Sequence, residues 1–306
     1  YGLIEGPVAG WGSLPVVASL AGGALALGPF LVVETRVKDP MVPLKLFRSR
    51  DFSAANLSTL GVYFGVYGFT FFLVIYMQNV MGYSALLAGL ALAPIDLLLL
   101  LLSPTLGKLA GRYGPRFFMS AGAIVCALGL VALSDLEPAS SYWTGLLPPL
   151  AVYGLGLSSL VAPLTNTVIS SVPDRNSGLA AAFNNAISRV AALLAIALLG
   201  VVVSLAFRSA LAQGLASLSL LPAEQALVQE AALDPTGAAD TSGLPAAALT
   251  VLYAAYTAAL RRAMLVAALA SALGAAAALV WVRDPVPQQG QRRGKVVGDA
   301  SQIPSS

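Results

Sequence analysis

Long apolar runs recur from one end of this chain to the other, separated by short segments that hold most of the basic residues. A helix crossing the hydrocarbon core of a bilayer needs about 20 largely apolar residues. Seven stretches meet that length: Leu14 to Val33, Phe52 to Met77, Leu86 to Leu106, Phe117 to Leu133, Gly145 to Ile169, Leu179 to Phe207 and Ala263 to Val282. Membrane-spanning strands would instead alternate over runs of about ten residues, whereas these runs are continuous and rich in Leu, Ala, Gly and Val. The pattern predicts an all-α integral membrane protein with about seven transmembrane helices. A soluble fold is excluded by composition, since 58% of the residues are hydrophobic and only 10% are charged.

Orientation follows from the placement of Lys and Arg, which favour cytoplasmic loops. One set of alternating segments holds Arg36, Lys38, Lys45, Arg48 and Arg50, then Lys108, Arg112 and Arg116, then Arg175, and last Arg283, Arg292, Arg293 and Lys295. The opposite set holds Arg208, Arg261 and Arg262, and Arg189 lies within an apolar run. This asymmetry predicts a multi-pass protein of the cell membrane with its C-terminus in the cytoplasm. It also accounts for the net charge of +3, so nothing calls for a nucleic-acid partner.

Absences narrow the chemistry. The chain has no histidine and a single cysteine, Cys126, inside an apolar run. A His or Cys metal site, a His-ligated haem and an intrachain disulfide are therefore excluded. No Walker-type phosphate loop is present. No catalytic residue, metal or cofactor is expected, and the simplest class left is ion-coupled or passive transport.

Along the chain, residues 1–33 read as the end of an extracellular loop followed by a linker transmembrane helix. The opening YGLIEGPVAGWGS lacks the basic and apolar regions of a signal peptide and reads as the cut end of something longer. Residues 34–51, with their charges, Pro40 and Pro43, form a cytoplasmic linker. Residues 52–282 form a six-helix bundle carrying a long, partly helical extracellular loop at 208–262, and 283–306 form a cytoplasmic tail.

Four local patterns carry a family resemblance: YGLIEGPVAGWGS, DPMVPLKLFRSRDF, YMQNVMGYSALLAGLALAP and SVPDRNSGLAAAFNNAISRVAALLAIALLG. In this order they resemble the C-terminal half of a major facilitator superfamily transporter of the fourteen-helix drug:proton antiporter branch. The resemblance implies that Leu14 to Val33 is the second of two linker helices. It implies too that the N-terminal six-helix half of the same chain is the missing partner. The decapeptide GKLAGRYGPR, with Gly107, Lys108, Arg112, Gly114 and Arg116, is similar to the family's cytoplasmic loop motif G-x-L-A-D-R-x-G-R-R. Gly111 stands where the motif carries its acidic residue, which removes a charge-based latch. Read from its residues alone, the segment is a basic tight turn at the cytoplasmic face.

Asp96 is the sharpest candidate for coupling transport to protons, because it sits near the middle of a run of Leu, Ala and Pro. An ionised carboxylate there costs at least about 2.5 kcal/mol. Helical spacing puts Gly89, Ala93, Asp96, Ser103 and Gly107 on roughly one small, polar face, expected to point into the bundle or a watery cavity. Protonated, the carboxyl would release a cation, and ionised it would bind one. The structural alternative is a neutral carboxyl hydrogen-bonded to a neighbouring helix near Pro94.

Arg189 follows Asn185 by one turn and fits a family pattern similar to N-x-x-R-x-x-G-G, with Ala191 and Ala192 in place of the glycines. It is read as pairing with Asp96, contacting an acidic substrate, or snorkelling to the interface. Asn56, Asn166 and Asn185 line a cavity or link helices, as do Gln78 and Asn184. Tyr63 and Tyr67 offer aromatic faces to a lipophilic cation or simply pack, as do Tyr153, Phe64, Phe71 and Phe183. Gly61, Gly65, Gly68, Gly154 and Gly156 predict close helix approach.

The resemblance implies proton-coupled efflux of amphipathic or cationic small molecules by alternating access. The partners are the lipid bilayer, a small-molecule substrate and protons. A dedicated exporter of one metabolite or lipid is the nearest alternative, followed by a non-transporting membrane scaffold. A membrane-embedded enzyme needs His, Asp or Lys clustered at one interface, which the loops lack.

Overall fold

A computed structural model describes residues 2, 5, 6, 10, 12–37, 44–216, 228 and 244–283. The described residues form seven helices long and apolar enough to cross a membrane, and no strand. These are α1 (Leu14–Arg36), α2 (Arg50–Asn79), α3 (Ala85–Tyr113), α4 (Pro115–Leu133), α5 (Leu147–Ser170), α6 (Ser177–Leu215) and α7 (Ala246–Trp281). A π-helical turn, Tyr142–Leu146, leads into α5, and short 3₁₀ turns at Leu44–Arg48 and Asp174–Asn176 precede α2 and α6.

Local chemistry sets the helix ends. Ser49 and Ser84 cap α2 and α3, their hydroxyls accepting from the N–H groups of Phe52 (3.4 Å) and Leu87 (3.2 Å). Gly114, at φ +101°, turns the chain between α3 and α4, and Pro115 opens the next helix, where its missing N–H costs nothing. Most of the GKLAGRYGPR decapeptide is thus the last turns of α3, and the turn itself is Gly114.

Six helices form the bundle, while α1 packs extensively against none of them. The broadest contacts are α4 with α5 and α2 with α7, followed by α3 with α5, α4 with α7, α6 with α7 and α2 with α6. Exchanging α2 with α5, α3 with α6 and α4 with α7 maps most of this pattern onto itself. Because α2 starts at the end where α5 finishes, the two three-helix units are inverted relative to one another, an arrangement that recurs in secondary transporters.

Glycines bring the helices close. A methyl group on Gly156 would lie 2.5 Å from the Cys126 N and 2.6 Å from the Gly122 O, and one on Gly129 would lie 2.8 Å from the Tyr153 N. Between α2 and α7, a methyl on Gly61 would lie 2.5 Å from the Ala270 O. Large groups fill the rest: Phe69 packs against Tyr153 with ring centroids 4.4 Å apart, and both are buried.

The last two helices run further than hydropathy predicts. Arg208 lies inside α6, and α7 begins 17 residues before Ala263, at Ala246, so Arg261 and Arg262 are helical. The ends of the expected 208–262 loop are therefore helix, because AAALTVLYAAYTAAL has strong helix propensity and buries Ala248, Leu252, Ala255 and Tyr256. Tyr256 stacks on Phe207 of α6, with centroids 4.7 Å apart. The middle of that loop, with its four acidic residues, lies outside the described residues, as do Lys38 to Pro43 of the linker and the tail from residue 284 on.

Candidate functional site

Asp96 and Arg189 lie within the membrane-spanning lengths of α3 and α6. At 1.5 Å per residue, Asp96 is about 17 Å along α3 from Ala85, and Arg189 is about 18 Å along α6 from Ser177. Since α3 and α6 are counterparts in the inverted units, the acid and the base occupy nearly equivalent positions measured from opposite ends. Both are exposed on the surface of the bundle, and they form no ion pair with each other.

The small, polar face of α3 predicts the bundle interior or a watery cavity, and Asp96 does not lie in the interior of the described bundle. Gly89 and Ala93 are exposed beside Asp96, while Ser103 and Gly107 are half-buried, Gly107 packing against Ala162 of α5. The buried side of α3 is carried instead by Ala88, Ala91, Ile95 and Ala110. An ionised carboxylate at this depth cannot rest in hydrocarbon without a cost of at least about 2.5 kcal/mol. The exposed face of α3 is therefore one that water or protein must meet.

The other candidates divide by depth and burial. Asn166 is exposed near the end of α5, beside a small cavity of about 140 Å³ lined by Gly107, Gly111, Pro115, Thr167 and Ser170. Asn185 is exposed one turn before Arg189. Tyr67 is exposed and Tyr63 half-buried on α2, their ring centroids 6.1 Å apart. Lys108, Arg112 and Gly111 are exposed, Arg116 is half-buried and Gly114 is buried. These cations stand at the same end as Arg48, Arg50, Arg175 and Arg283, and at this end the Arg283 N–H donates to Asp51 Oδ1 at 2.8 Å.

Asn56 belongs to the interior. Its Nδ2 donates to the Phe52 O at 2.8 Å, and its buried Oδ1 has no partner among the described residues. One turn on, Thr59 Oγ1 donates to Asn184 Oδ1 at 2.6 Å, joining α2 to α6. Sequence reasoning passed over Thr59. The signal was three polar residues, Asn56, Ser58 and Thr59, within one turn of an apolar helix, and all three are buried.

Comparison with known proteins bears on what such a bundle belongs to. A family model described as Major Facilitator Superfamily matches residues 6–196, well over half of the chain. The chain belongs to the major facilitator superfamily. The match runs from before α1 into α6 and takes in Asp96, the GKLAGRYGPR decapeptide and Arg189.

Members of the superfamily similar to this chain include the multidrug resistance protein Stp of Mycobacterium tuberculosis, 32% identical over 204 residues. The tetracenomycin C resistance and export protein of Streptomyces glaucescens is 32% identical over 209 residues. Each alignment covers 67% of this chain and 38% of the relative. The cephamycin export protein CmcT of Amycolatopsis lactamdurans is 36% identical over 178 residues, 58% of this chain and 37% of its own length. The matched part of the chain thus spans less than half of these relatives.

Proposed function

We propose that this chain is the C-terminal six-helix half, with one preceding linker helix, of a proton-coupled exporter of amphipathic or cationic small molecules in the cell membrane. The observation that carries this reading is the exposed pair of charges within the spanning helices, Asp96 on α3 and Arg189 on α6. Charges so placed need a protein surface or a water-filled cavity opposite them. A second six-helix half, contributed by the rest of the native chain, supplies both.

Alternating access then follows from the rocking of two halves about a cavity between them. A proton arriving on Asp96 neutralises the carboxylate and releases a bound cation, and its departure restores the site. Tyr67 and Tyr63 provide aromatic faces for a lipophilic cation, and Asn185 and Asn166 provide amides along the same path. Arg189 compensates charge near the site or meets an acidic group of the substrate. The concentration of Lys and Arg at one end supports a cytoplasmic C-terminus.

The names of the relatives support export and leave two substrate classes. One is called a multidrug resistance protein, and two others are named for a single antibiotic. A dedicated exporter of one metabolite therefore stays as the second reading. The test is efflux of a lipophilic cationic dye from cells expressing the native gene product, with Asp96→Asn beside it. The proposal expects energised efflux that Asp96→Asn reduces at least about tenfold at equal expression. Efflux of one unrelated antibiotic alone would favour the dedicated exporter. Equal rates for parent and Asp96→Asn would remove Asp96 from the mechanism.

A further inference from the structure

A groove of about 660 Å³ runs between α6 and α7, lined along its length by Val202, Leu205, Ser209, Gln213, Arg262 and Leu269. Its two ends differ in chemistry. Arg262 lies about 28 Å along α7 from Trp281, close to the thickness of a hydrocarbon core of about 30 Å. Tyr256 stacks on Phe207, so Arg262 stands level with Val202 on the antiparallel α6; Leu265 and Leu269 lie deeper, inside the core, and Ser209 and Gln213 lie beyond it. The groove therefore crosses the boundary between hydrocarbon and headgroups, apolar on the inner side and polar on the outer.

Among the described residues the groove is lined by one cation and no acid. Arg261, one residue away, faces Asp135 at 3.4 Å, whereas Arg262 has no acidic partner among the described residues. Gln213 Nε2 donates to Ser209 Oγ at 3.1 Å, which places an amide and a hydroxyl on α6 at the outer end of the groove, on the headgroup side of Arg262.

We propose that this groove holds one anionic phospholipid from the leaflet at that end, its phosphate on Arg262 and one acyl chain along Leu265, Val266 and Leu269. Charge complementarity selects the headgroup, and depth selects a lipid over a peptide. An acidic peptide could meet Arg262 but could not follow the groove into hydrocarbon without leaving backbone polar groups unpaired. A lipid brings an anion and an apolar chain in the same order in which the groove presents their partners.

The test reconstitutes the native gene product in nanodiscs containing equal amounts of phosphatidylglycerol and phosphatidylcholine. Lipid retained on the protein after detergent exchange is then counted by native mass spectrometry. The parent should retain one phosphatidylglycerol. Arg262→Gln should weaken that retention about fivefold, the value of one interfacial cation. Leu269→Trp, which fills the deep end and keeps the charge, should displace the lipid as well. Arg208→Gln, an exposed arginine of α6 that does not line the groove, should change nothing.

Any of three results overturns the proposal. One is unaltered retention in both Arg262→Gln and Leu269→Trp with the bundle folded. Another is an equal loss in Arg208→Gln, which would mark diffuse surface charge. The third is an empty groove in the parent that fills only when residues 217–243 are deleted, which would make that acidic segment the occupant.

Discussion

Thr59 of α2 and Asn184 of α6 are joined by a hydrogen bond of 2.6 Å inside the apolar bundle. The same hydroxyl lies 3.0 Å from the Ala55 O of its own helix, so its one proton is shared between a local and an interhelical acceptor. Interhelical hydrogen bonds in membranes contribute about 0.6 kcal/mol on average and up to about 1.7. Thr59→Val should destabilise the bundle within that range, measured by unfolding in mixed micelles. Adding Asn184→Ala should cost less than the two single changes together. Additive effects would mean that the two side chains act independently.

The glycine seam between α4 and α5 makes a sharper prediction. A methyl on Gly156 meets backbone atoms of Cys126 and Gly122, which cannot turn aside as a side chain can. Gly156→Ala should force the helices apart at about 1–3 kcal/mol. A methyl on Gly89 would meet nothing within 4 Å, so Gly89→Ala should be neutral or stabilise α3 by up to about 1 kcal/mol. Equal effects at the two positions in the same unfolding assay would contradict this close packing.

These contrasts separate what was legible in the sequence from what was not. Apolar length located all seven spans, because the bilayer imposes one physical requirement on each. It did not reach the ends of α6 and α7, because the apolar run breaks at Arg208, Arg261 and Arg262 while the helices continue into the loop read as partly helical. Asp96 stood out as a charge in an apolar run, but periodicity cannot say which face of α3 meets the bundle when leucine covers most of its turns. Thr59 was hidden for the opposite reason: a small hydroxyl residue barely disturbs hydropathy, and its value depends on a helix 125 positions away in sequence.

Cys126 gives a reading on motion. It is fully buried, and its thiol donates to the Tyr153 O at 3.6 Å across the α4–α5 seam. If the bundle moves as one body during transport, this seam stays closed in every state. A membrane-permeant maleimide should therefore label Cys126 only after denaturation, with or without substrate. Labelling of the native protein that rises during turnover would show that α4 and α5 separate, and rigid rocking would be the wrong description.

Asp51 fastens the two ends of the bundle's chain. Its Oδ1 accepts the Arg283 N–H at 2.8 Å, tying the start of α2 to the residue just beyond α7, and it sits in the first turn of α2, where negative charge is favourable. Asp51→Ala should cost about 1–2 kcal/mol through the lost charge-assisted bond and helix-end interaction. Asp51→Asn keeps an acceptor and should cost less. Arg283→Ala should leave the bond intact because the donor is backbone. Amide exchange at the end of α7 would distinguish the three.

Proton-coupled export stands or falls on the exchange of substrate against protons across a sealed membrane. The native gene product would be reconstituted in proteoliposomes with a pH-sensitive dye inside, and a gradient of a lipophilic cation imposed. Protons should move opposite to the cation, the two fluxes should rise together, and Asp96→Asn should uncouple or stop both. Cation flux with no accompanying proton movement would contradict proton coupling, and no flux of either in folded protein would contradict export itself.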